Sequence, residues 1–241
     1  AAVKKTAQEE TEKEFKELGR EDPKRLQRLK EENEETVNRA RFLEIALIPH
    51  QEASAWFGDD AHLTKTHEFD DWKRATDLVL TMEHEGAPLH LAIDVTVSQH
   101  KIRDKVDEIE RRIRDGYLTD IEYFKDPKTN KEERLQFVPR VILPMAPATL
   151  DELKEITVNF FSKEQGDKKR REAAENSALA YAILDTFIRQ LERYKKIAVV
   201  ARKSRIVSRI DVVLDALRVR RDEREKISGP RMLDNFQRQV A

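Results

Sequence analysis

Residues 77–97 constrain the fold of this chain more than any other stretch. Leu78, Leu80 and Met82 alternate with Val79, Thr81 and Glu83. Leu89, Leu91, Ile93, Val95 and Val97 alternate with His90, Ala92, Asp94 and Thr96. A period of two predicts two strands, each with one buried face. Between them, His84-Glu85-Gly86-Ala87-Pro88 is a turn signal containing glycine. If Glu85-Gly86 is a two-residue loop, Leu78 faces Ile93, Leu80 faces Leu91 and Met82 faces Leu89. That face is wholly apolar, and a slip of one residue would destroy it.

The same register sets Asp77 directly opposite Asp94, with Thr96 two residues further along on their face. Directly opposed residues have Cβ atoms about 4.5–5.5 Å apart. Two such carboxylates repel, and in a partly desolvated site they need a shared proton or a bound cation. Hard divalent ions such as Mg²⁺ or Mn²⁺ take oxygen ligands of this kind. The plain alternative is two solvated aspartates at strand ends.

Composition bounds the rest. Of 241 residues, 39% are charged, against about 25% in an ordinary soluble chain. Yet 46 basic residues meet 47 acidic ones, for a net charge of −1. A nucleic-acid surface must therefore be a local patch. The chain has no cysteine, which excludes disulfides, thiolate metal sites and a cysteine nucleophile. No apolar run approaches the roughly 18 residues of a membrane span, and the first residues lack the apolar segment of a signal peptide. A cytoplasmic protein without a membrane partner is the expectation. There is no GxxxxGK[ST], GxGxxG or GxSxG pattern, which argues against an NTPase, a Rossmann enzyme and an α/β-hydrolase.

Residues 1–35 read as a charged arm. A helix started by Pro23 carries an apolar surface around residues 36–48 and is expected to end at Pro49. Residues 50–76 read as a loop or short helix with Trp56, Phe57, Phe69 and Trp72. Ser98 is placed to cap a helix bearing Ile102, Val106, Ile109 and Ile113, which Gly116 ends. Residues 125–133 are a polar loop. Residues 135–143 read as a strand whose Pro139 favours an edge or a bulge. Thr149 and Glu152 suggest a capping box for a helix reaching about Phe161. Two long amphipathic helices follow residue 168, separated near Arg202-Lys203-Ser204, and a short tail starts at Pro230. These elements predict an α/β fold: a mixed sheet of about four strands flanked by helices, with a C-terminal helical extension. The expected division is 1–35, 36–165 and 168–241.

Glu44 in RFLEIAL, Asp77 in ATDLVLTM and Asp94 in LAIDVTVSQHK, then the strand RVILPM and the helix TLDELKEI, give an order that resembles the PD-(D/E)xK nuclease superfamily. The resemblance covers about residues 36–160. It implies a restriction-endonuclease-like core and a metal-dependent phosphodiesterase. Asp77 and Asp94 would hold Mg²⁺ or Mn²⁺, with Glu44 as a further or water-mediated ligand. The third motif of that family is (D/E)-x-K, and here it reads Asp94-Val95-Thr96. Thr96 offers a hydroxyl without charge. Lys101, in the first turn of the next helix, is the expected displaced lysine, and Lys105 one turn further on is the reserve. The alternative is a catalytically inactive nuclease-fold module for nucleic-acid binding or scaffolding.

Between 189 and 209 stand eight lysines and arginines and one acid, Glu192. Such density suits phosphate contacts, and Arg193, Lys196, Arg202, Lys203 and Arg205 are the candidates. The expected partner is nucleic acid, DNA ahead of RNA, and the C-terminal helices offer a homodimer interface. Among the histidines, His100 reads as a solvent-facing residue at a helix start, with a proton shuttle as the alternative, and the others show no metal-binding spacing.

Overall fold

A computed structural model describes residues 23–161 and 177–241. Two compact units divide at residue 41: Ala1–Arg41 and Phe42–Ala241. The described part of the first unit, residues 23–41, is helical and carries an i,i+4 ion pair between Glu35 and Arg39 at 2.5 Å. The remainder of the charged 1–35 arm lies outside the described residues.

The elements are α1 (Pro23–Ser54), β1 (His62–Lys65), α2 (Glu68–Arg74), β2 (Leu78–His84), β3 (Ala87–Thr96) and α3 (Gln99–Asp115). Then come β4 (Thr119–Lys125), β5 (Glu132–Val138), β6 (Arg140–Pro144), α4 (Pro147–Phe161), α5 (Ala178–Val200), α6 (Ser204–Ser228) and α7 (Asn235–Val240). The main sheet has the order β1-β2-β3-β6. Its first three strands are antiparallel, and β3 pairs with β6 in parallel. Strands β4 and β5 form a separate two-stranded sheet. The second unit is thus α/β, a mixed four-stranded sheet flanked by helices, with a helical C-terminal part.

Hairpin β2–β3 turns through Glu85 (φ 51°) and Gly86 (φ 79°). Two successive positive φ angles make a type I′ turn, whose twist matches that of the strands. The register runs from His84↔Ala87 to Leu78↔Ile93. Leu78, Leu80, Met82, Leu91, Ile93 and Val95 join the main core, which the C-terminal helices complete through Leu184, Phe187, Ile210 and Leu214. Val79 and Ala92, on the other face, pack with Ile121, Phe124, Leu135 and Val138 of the β4–β5 hairpin.

Four local expectations are corrected. Helix α1 runs through Pro49 to Ser54. The bond that proline cannot make would reach the carbonyl of Ile45, a residue 63% exposed, where water can replace it. Residues 50–76 contain both an edge strand, β1, and the short helix α2. The expected single strand over 135–143 is two strands in different sheets, broken at Pro139 after the positive φ of Phe137 (60°). Helix α4 starts at Pro147 rather than at a Thr149 cap, and the Thr149 hydroxyl instead donates to Asp234 at 2.8 Å.

Edge strand β6 is closed by a side chain. Gln190 of α5 accepts from the Ile142 N–H at 2.8 Å and donates to the Ile142 carbonyl at 2.7 Å. A buried amide thus satisfies the edge where a further strand would have bonded.

Candidate active site

One step beyond the last paired residues of β2 and β3 stand Asp77 and Asp94. Strand alternation puts Asp77 on the face of Val79 and Asp94 on the face of Ala92, so both share the side away from Leu80 and Leu91. Asp77 donates its N–H to the Ile93 carbonyl at 2.9 Å, and its carboxylate accepts the Val95 N–H at 2.5 Å. Thr66, just after β1, donates its N–H to the Asp77 carbonyl at 3.0 Å. Asp77 is therefore held at both ends of its own residue.

The electrostatics follow from burial. Asp94 is 1% exposed, and its Oδ2 has no hydrogen-bond partner. Burial raises its pKa above the ordinary value, opposed by the Lys105 ammonium that contacts Oδ1 and by Arg140. The Asp77 carboxyl is pushed up to about 8, first by burial and then by the charge on Asp94, with smaller contributions from Asp71 and Glu44. Its bond from Val95 acts in the opposite direction.

Lys105, in the second turn of α3, reaches Asp94 and also lies 3.5 Å from the Val95 carbonyl. Of the two lysines, Lys105 is the one that meets Asp94. Lys101, placed first in the sequence reading, is exposed and makes no ion pair among the described residues. The stripe Ile102, Val106, Ile109 and Ile113 buries one side of α3. Lys101 and Lys105 each precede a residue of it, and the second-turn lysine is the one that the docked helix brings to Asp94.

Glu44 is near enough to raise the Asp77 pKa, but its own carboxylate is paired with Lys65 of β1 at 2.7 Å. Thr96 is buried, with its hydroxyl accepting the Ser98 N–H at 3.3 Å, so it braces the strand-to-helix corner. His100 is exposed. Two cations at this site escaped the sequence reading. Lys65 lies on an unrecognised four-residue strand. Arg140 is 4% exposed, contacts Glu108, and donates to the Arg74 carbonyl at 2.6 Å. Its place in a strand gives no sign of either partner.

Among the described residues no three His, Cys, Asp or Glu side chains converge to hold an ion by themselves. The donors that do meet are two carboxylates, one with an unsatisfied buried oxygen. Mg²⁺ commonly uses one or two carboxylates, several waters and substrate phosphate oxygens, and this set fits that habit.

The basic stretch resolves into two groups. Arg193 pairs with Glu110 at 2.5 Å, Lys195 with Asp211 at 2.6 Å and Arg189 with Asp185 at 2.7 Å. Lys196 and Arg202 are exposed and make no ion pair among the described residues. Arg205 lies over the Phe137 ring at 4.3 Å. The Lys203 side chain packs against Gly116, at the far end of α3 from Lys105.

No family model, curated protein or solved structure matches this chain.

Proposed function

We propose that the protein is a metal-dependent phosphodiesterase of the PD-(D/E)xK kind acting on nucleic acid, with Asp77 and Asp94 as the ligands of Mg²⁺ or Mn²⁺. The observation that carries this reading is the opposed pair of carboxylates, Asp94 buried and Asp77 half-buried, with a lysine on one Asp94 oxygen and no partner on the other. A fold gains no stability from such a pair: both carboxyls have raised pKa values, so both resist ionisation as folded. Arrangements of this cost concentrate at functional sites.

A bound divalent ion would acidify a water and offset charge on the attacked phosphate. The chain itself supplies the rest. The Val95 N–H holds the Asp77 carboxylate in place. Lys105 brings the fixed positive charge that Thr96 lacks, in the role of the motif's lysine, from a helix instead of the strand. Arg140, anchored on Glu108 and Arg74, keeps a second positive charge beside Asp94 and favours its ionised form. Glu44 stands as a water-mediated neighbour, its carboxylate tied to Lys65.

The test is cleavage of a panel of single- and double-stranded DNA and RNA under Mg²⁺ or Mn²⁺ titration. Asp94→Ala should abolish cleavage. Lys105→Ala should reduce turnover about a hundredfold or more, the scale of removing one donor to the transition state, while Lys101→Ala leaves it near wild type. No cleavage by wild type under any of these conditions would sink the catalytic reading. Full activity in Lys105→Ala would remove the lysine from the mechanism.

A further inference from the structure

Beside the carboxylate pair, the junction of β1 and α2 meets β4 in a small cluster of rings, His67 and Tyr123 exposed and Phe69 half-buried. The Tyr123 ring lies 5.0 Å from His67 and 5.6 Å, edge to face, from Phe69. Tyr123 is 48% exposed, while its neighbour Phe124 is buried at 2%. The exposed ring nevertheless rests on a rigid base. Asp70, fully buried, accepts the Glu122 N–H at 2.9 Å and the Tyr123 N–H at 3.0 Å. A buried carboxylate is thus committed to fixing the backbone under a ring that the core does not use.

The cluster is continuous with the site. Lys65, Thr66 and His67 are consecutive: Lys65 pairs with Glu44, Thr66 bonds to the Asp77 carbonyl, and His67 begins the ring cluster. The Lys65 side chain is 51% exposed, so its ammonium is free to meet a second anion. A half-exposed cation followed by an aromatic platform is the pairing that binds a nucleic-acid strand through its phosphate and its base. In a duplex the base faces are already stacked, so an exposed ring can take only an unpaired base.

We propose that Tyr123, supported by His67 and Phe69, is a base-stacking subsite that selects single-stranded nucleic acid for the Asp77–Asp94 site, with Lys65 contacting the adjoining phosphate. This inference rests on the phosphodiesterase reading, and the following experiment separates the two.

The probe is a twelve-nucleotide DNA containing one 2-aminopurine, alone or in duplex, mixed with the full chain in EDTA so that nothing is cleaved. Wild type should quench the single strand on binding and bind the duplex more weakly. Tyr123→Phe should behave as wild type. Tyr123→Leu, which keeps bulk without a ring, should lose the quenching and about tenfold in affinity, the scale of one stacked base. Lys65→Ala should weaken binding and retain the quenching. Unchanged affinity and quenching in Tyr123→Leu overturns the inference, as do equal or tighter binding of the duplex and absence of binding by wild type. Hydrolysis is read separately, on the same strand with Mn²⁺. Stacking without hydrolysis would fail the catalytic reading alone, and hydrolysis with no effect in Tyr123→Leu would fail the subsite alone.

Discussion

Asp77 and Asp94 are both held less acidic than free carboxyls by burial, Asp77 further by the charge on Asp94, and the two are balanced differently. Asp94 has Lys105 and Arg140 to favour its charge, whereas Asp77 has one backbone N–H and further acids around it. The folded state therefore keeps a proton on Asp77 that the unfolded chain releases near pH 3.8. Asp77's contribution to stability is fully present below that pH and is lost as pH rises through about 8. Asp77→Asn keeps an oxygen for the Val95 N–H and removes the titration. In urea unfolding, the variant should gain on wild type as pH rises from 5 to 8.5, with little difference at pH 4. Mg²⁺ should raise wild-type stability at pH 8.5 and leave the variant nearly unmoved, since the ion binds the folded ionised pair. A pH-independent gap between the two proteins would show that Asp77 ionises normally in the fold. The pair was legible in the sequence because the two-residue turn and the apolar face of the hairpin together permit one register. The choice between Lys101 and Lys105 was not legible. They are four apart on one helix, and only the docking of α3 decides which of them is drawn over Asp94.

Elements with strong alternation or helical period could be read, and weak ones could not. Strand β1 has four residues and one buried apolar side chain, Leu63, so no pattern marks it. Strand β4, TDIEYFK, breaks its alternation with register shifts against β5. Pro139 sits between apolar residues on both sides, and nothing local says that β5 and β6 belong to different sheets. The closure of β6 is equally hidden, because it depends on one amide from a helix more than forty positions away. Its weight is measurable. Gln190→Leu leaves the buried Ile142 N–H and carbonyl without partners. At about 1–3 kcal/mol for each unsatisfied group, the variant should lose roughly 2–6 kcal/mol in urea unfolding. A loss below about 1 kcal/mol would mean that water or a shifted neighbour replaces the amide.

At the scale of the second unit, the sheet and the C-terminal helices share one core, so α5 and α6 are structural partners of the site's scaffold. Hydrophobic period alone marked them as helices but could not say what they pack against. The same packing divides the basic residues by role. Arg193 and Lys195 neutralise acids of α3 and α6, whereas Lys196 and Arg202 face solvent near the α5–α6 turn. Gly116, against which Lys203 packs, lies eleven residues along α3 from Lys105, a rise of about 16 Å. If the turn binds phosphate, Lys196→Ala with Arg202→Ala should leave thermal stability unchanged. It should also reduce the slope of log affinity against log salt by about two, one for each phosphate no longer neutralised. Arg193→Ala should do the reverse: it removes a cation from the buried Glu110 carboxylate, so stability falls while the salt slope stays near wild type. Fluorescence anisotropy of a labelled strand across a salt series, paired with thermal unfolding of each variant, reads both quantities. An unchanged slope in the Lys196/Arg202 variant would leave the turn as solvated surface, with all affinity residing at the carboxylate site.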